Sequence, residues 1–127
     1  MKKHKITILG QTVSQKNSKQ IAINPKTKKP FVMSNKTVKE WQQAAALQLI
    51  IPRKRINIDG RAEISIQFYV KDNRRRDLDN MLSSITDALV AAKILTDDSW
   101  QYLKIGTIDA EIDKENPRAE ITLTECE

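Results

Sequence analysis

The chain has 127 residues, 39% of them hydrophobic and 30% charged, with a single cysteine and a formal net charge of +6. These values describe one domain spanning residues 1–127, with a modest core, and they exclude a disordered chain; no apolar run approaches the ~20 residues of a membrane span. The lone Cys126 excludes a disulfide framework or a cysteine-based zinc site, and the apolar run at residues 6–9 is too short for a signal peptide, so a cytoplasmic protein is expected.

The charge is unevenly spread. Residues 1–76 hold 18 Lys+Arg against 4 Asp+Glu, whereas residues 77–127 hold 4 against 12. A cationic surface for a polyanion and a separate acidic region are the expected consequence. Residues 3–9 alternate, with Ile6 and Ile8 on one face, and predict a first strand that Gly10 ends. Residues 11–19 form a polar loop whose Lys16 and Lys19 are suited to phosphates. Short strands near 20–23 and 30–33 flank a lysine-rich turn. Lys28 and Lys29 at its tip suit a DNA backbone, or simply solvent.

Ser34 or Asn35 is positioned to cap a helix through about Ile50, with Val38, Trp41, Ala45 and Leu49 on its apolar stripe and Pro52 as its stop. Trp41 on that stripe is expected in the core. Arg53-Lys54-Arg55 makes a second cationic cluster, and Asp59-Gly60 marks a turn. Residues 62–70 form the clearest strand, with Ile64, Ile66, Phe68 and Val70 facing one way. A helix is expected from Asn80, with Leu82, Ile85, Leu89 and Ala92 on its stripe. Residues 102–112 and 118–124 read as two strands of a C-terminal β-hairpin. The expected fold is α+β (mixed α/β): one mixed sheet carrying two main helices. Periodicity does not specify the strand order.

Between the central strand and the second helix, Arg74-Arg75-Arg76 runs directly into Asp77-Leu78-Asp79-Asn80. Asp77 and Asp79, two apart in extended backbone, would place both carboxylates on one side. Asp97 and Asp98 follow the helix. If it runs antiparallel to the strand feeding Asp77, they must turn back to reach the first pair. Carboxylates converging this way form an all-oxygen site suited to Mg²⁺ or Mn²⁺, with Asp77, Asp79 and Asp98 as the best ligands and Asp97 behind them. The competing reading is helix capping by Asp79 or a turn opened by Asp97. Asp87, seven residues beyond Asn80 on nearly the same helix face, would supply a supporting contact, a fourth carboxylate or a buried hydrogen bond. Arg74, Arg75 and Arg76 would neutralise phosphates without reading sequence. His4, the only histidine, lies in a basic tail, which excludes Ser-His-Asp and Cys-His catalysis.

Arg75-Arg76-Asp77-Leu78-Asp79-Asn80, then Asp87-Ala88-Leu89, then Leu95-Thr96-Asp97-Asp98, resembles the core signature of RusA-type Holliday junction resolvases, a family common in prophages. The spaced set covers about a quarter of the chain and is far more specific than Asp-Leu-Asp-Asn alone. The resemblance implies a small homodimeric endonuclease, acting in recombination and repair, that cuts branched four-way DNA with Mg²⁺ or Mn²⁺ and no organic cofactor. It carries Asp77, Asp79 and Asp98 over as catalytic acids. One departure is chemical: the family usually has a lysine three residues after the asparagine, where this chain has Ser83. A weakly active or inactive DNA-binding module, a fork or flap nuclease, and an RNA-binding domain are the alternatives. The aromatic residues form no base-stacking pattern that favours RNA.

Overall fold

The computed structural model describes residues 2–14, 19–23, 25–34 and 36–126. The sheet is built on β4 (Ala62–Val70), in which every second side chain is buried. That alternation is the period-two signature of a strand with one covered face. Burying each large side chain of the Ile64, Ile66 and Phe68 row contributes about 1.5–3 kcal/mol. β1 (Lys3–Leu9) and β6 (Arg118–Glu125) add Ile6, Ile8, Ala119, Ile121 and Leu123 to the same covered face. Two helices close over it: α1 (Lys36–Gln48) through Trp41 and Ala45, and α3 (Leu78–Ala91) through Met81, Ile85 and Leu89. The expected α+β class and mixed sheet are observed.

The strand order is β1-β6-β4-β5, with β5 spanning Leu103–Ile112. The expected hairpin between the last two strands does not form: β5 pairs parallel with β4 on one side, and β6 pairs antiparallel with it on the other. β4, α3 and β5 make a parallel crossover unit, which requires the intervening helix. The loop after β5 therefore has to pass the end of β4 to reach its far edge. Two strand spacings amount to about 10 Å, well within reach of the five-residue loop 113–117. β5 is left as an outer strand, as is β1.

Smaller differences have local causes. Pro52 does not stop a helix; it lies in the first turn of α2 (Ile50–Arg55), where a backbone N–H is not needed. The first helix ends two residues earlier than expected, at Gln48, whose side-chain amide accepts from Leu9 N at 2.6 Å and donates to Leu9 O at 3.2 Å. The capping role expected of Asn35 lies outside the described residues. β2 (Lys19–Ile23) and β3 (Pro30–Ser34) form the expected antiparallel pair, separate from the main sheet. In β5 the register shifts opposite Ser65, whose Oγ accepts the Thr107 N–H at 3.1 Å. Gly106 stands at this bulge because a Cβ there would lie 2.5 Å from Ser65 Oγ. Among the described residues no helix is long and apolar enough to cross a membrane.

Candidate active site

α3 starts two residues earlier than its periodicity indicated, because Leu78 and Asp79 already belong to its first turn. Asp77 occupies the cap position with extended backbone, φ −84° and ψ 126°, so Asp77 and Asp79 are not neighbours on one extended strand. A capping aspartate would bond the amides of the first turn. Asp77 does not: its carboxylate makes no bond to the helix N-terminus. Instead the buried Asn80 donates from Nδ2 to Asp77 Oδ2 at 3.3 Å, and Arg75 Nη2 lies 3.6 Å from Asp77 Oδ1. Asp79 Oδ1 accepts from the Asn80 backbone N–H at 2.9 Å and adds negative charge at the positive end of the helix dipole. Both carboxylates are exposed at the start of α3, with oxygen lone pairs to spare.

The three arginines divide. Arg76 folds back, with Nη2 2.7 Å from Asp72 Oδ1 and Nη1 donating to the Asp72 and Arg74 carbonyls at 3.1 and 3.3 Å. Its hydrogen bond holds the Asp72 carboxyl below the usual range. Arg76 therefore fastens the loop between β4 and α3, while Arg74 and Arg75 point outward. Sequence reading passed over Asp72, although its spacing of four residues before Arg76 was a usable signal.

Asp97 and Asp98 lie in the loop after α3. The crossover carries that loop away from Asp77, toward the start of β4. There Thr96 Oγ1 donates to the Ile58 carbonyl at 3.1 Å, and Arg61 Nε donates to the Trp100 carbonyl at 3.0 Å. No turn back toward Asp77 occurs; the chain continues into β5. Asp98 does act on Asp87, whose carboxyl is raised above its usual range by incomplete hydration and then by the Asp98 charge. From Asp79 to Asp87 is eight residues, about 12 Å along a helix axis. The structure thus brings Asp77, Asp79, Asn80 and Arg75 together at one end of α3, and Asp87 with Asp98 toward the other. Among the described residues no three His, Cys, Asp or Glu side chains are grouped so as to hold a metal ion.

The remaining candidates are dispersed. Lys28 and Lys29 are exposed on the β2–β3 turn, and Lys19 opens β2. Lys16 lies outside the described residues. The segment leading to it is anchored beside the acidic end of α3: Gln11 Oε1 accepts the Lys71 N–H at 2.9 Å, and Ser84 Oγ donates to the Val13 carbonyl at 2.7 Å. Ser83 donates to the Asp79 carbonyl at 3.0 Å, one helical turn from that carboxylate.

A family model described as endodeoxyribonuclease RusA matches residues 10–124, which takes in β4, β5 and all but the last residue of β6 and leaves out β1. No curated protein matches the chain.

Proposed function

This chain belongs to the RusA endodeoxyribonuclease family, and from that premise we propose that it resolves four-way DNA junctions as a divalent-metal-dependent homodimer whose two chains share each active site. The observation that carries this reading is the division of the acidic residues between the two ends of α3. Asp77 and Asp79 offer hard oxygen ligands of the kind Mg²⁺ or Mn²⁺ prefers, but they are only half a ligand set. A two-fold axis through the outer strand β5 would set it antiparallel to its copy. The Asp77 end of one chain would then approach the Asp98 end of the other, with Asp87 beside it.

When bound, a divalent ion lowers the pKa of a water and stabilises charge on the phosphoryl oxygens. The chain's own residues have other tasks. Asn80 fixes the Asp77 carboxylate, and Arg75 beside it would meet the flanking phosphate. Two such sites related by symmetry match the two opposed incisions that resolve a junction.

The test is complementation. Asp77→Asn/Asp79→Asn protein and Asp98→Asn protein should each be inactive on synthetic junctions with Mg²⁺ or Mn²⁺, yet bind them. Mixed and re-equilibrated, they form heterodimers with one intact shared site, so nicking of one strand should return to about a quarter of the wild-type site count. Mixtures that stay inactive although heterodimers form would show that each chain holds a whole site. Full cutting by either single protein would remove its residues from the chemistry.

A further inference from the structure

At the opposite edge of the sheet from β5, β1 and α2 together form a second strongly cationic surface. Lys3 and Lys5 leave β1 on the same side, two residues apart and about 7 Å from each other along the strand. Beside them α2 ends in Arg53-Lys54-Arg55. Lys3, Lys5 and Arg55 line one shallow groove of about 340 Å³ with Ile51 and Pro52. All five of these cations are exposed, and none takes part in an ion pair among the described residues. Of the carboxylates on the neighbouring strand, Glu125 is held by His4 at 2.9 Å and Glu120 by Arg118 at 3.3 Å. Three unpaired cations around one groove, with Arg53 and Lys54 on the same short helix, set up a field that is costly to keep unless a polyanion neutralises it.

This strip is distinct from the acidic end of α3. β1 and β5 are separated by two strands, about 14 Å across the sheet. Arg74 and Arg75 sit at the far end of β4, whereas Lys3 pairs with Thr124 near its beginning. We propose that the β1–α2 flank is a second duplex-binding surface, which holds an arm of the branched DNA substrate by its phosphates while the acidic end of α3 works at the branch. The proposal rests on the nuclease reading above. It supplies what that reading lacks, a reason for branched DNA to bind better than linear duplex: one chain grips two helical segments at once, and the second contact is intramolecular once the first has formed. The competing role for Lys3 and Lys5 is to blunt a free sheet edge against aggregation. A glutamate would serve that role equally well and would repel DNA.

The experiment compares wild type with K3E/K5E/R53E/R55E, and with the milder K3Q/K5Q/R53Q/R55Q, by binding without divalent metal to four-way junctions with short or long arms. Wild type should bind long-armed junctions more tightly and protect their arms from hydroxyl radicals beyond the branch. The glutamate variant should bind both lengths equally, lose the outer protection, and show a log–log salt slope shallower by about 3–4 for four lost phosphate contacts. The glutamine variant should lose the same arm dependence without charge reversal. An unchanged arm dependence and footprint would overturn the second surface and leave the nuclease reading standing. Equal weakening on both arm lengths would overturn it too, by placing these cations at the branch. Wild-type protein that neither prefers nor cuts junctions would defeat the nuclease reading itself.

Discussion

Ser83 stands beside the acidic end of α3, where one side chain would bear on the rate of the proposed cleavage. Its hydroxyl is spent on the Asp79 carbonyl, and it stands one helical turn beyond that carboxylate. A lysine at this position would reach the acidic end of α3 and place an ammonium beside the charge that develops on the phosphoryl oxygens. S83K is therefore expected to raise the cleavage rate about tenfold, equivalent to ~1.4 kcal/mol of barrier, with junction affinity little changed. Rate measurements under single-turnover conditions with Mg²⁺ check this. An unchanged rate, with activity lost in K16A or K19A, would assign the cation to the loop that Val13 anchors against Ser84. The sequence disclosed the acidic residues because their spacing is itself the signal. It did not disclose that Arg76 turns inward, because three consecutive arginines look alike until Asp72 captures one of them.

At the scale of elements, strands with one buried face announced themselves, as β1 and β4 do, because alternation is a local pattern. The partner of β5 is a non-local fact. Its burial is shallow and irregular, and only the α3 crossover determines that it lies parallel to β4 rather than against β6. The end of α3 has a further property that composition hides. Lys93 adopts φ 62°, its N–H bonds the Val90 carbonyl at 2.9 Å, and the Ile94 N–H bonds the Leu89 carbonyl at 3.0 Å. This is a Schellman closure with lysine where glycine is usual. The left-handed conformation costs a non-glycine residue about 1 kcal/mol or more. K93G should accordingly raise the melting temperature by ~3–5 °C without altering junction cleavage. A fall in thermal scans would mean that the lysine side chain stabilises the helix terminus by more than its backbone strain costs.

For the whole molecule, the question is what covers β5. Ile105 and Ile112 are 57% and 53% exposed on this strand, and Trp100 just before it is 73% exposed. Ile64 and Val70, their neighbours on β4, are buried, so the apolar face of the sheet runs past the limit of the helices that cover it. A ten-residue outer strand with apolar side chains and unpaired backbone groups is a template for another strand. In the proposed homodimer a second copy of this chain would satisfy it by symmetry and would also complete the divided acidic set. No periodicity in the sequence could have indicated that division, because it depends on which end of α3 each loop leaves. I105K/I112K is expected to keep the fold, since both positions are exposed, yet to run as a monomer in light scattering where wild type runs as a dimer. Cleavage should be lost with dimerisation, because Asp77 and Asp79 no longer meet a partner's Asp98. Circular dichroism separates this outcome from unfolding. A folded, monomeric variant that still cuts junctions would show that one chain suffices, and a monomeric wild type would remove β5 as the interface.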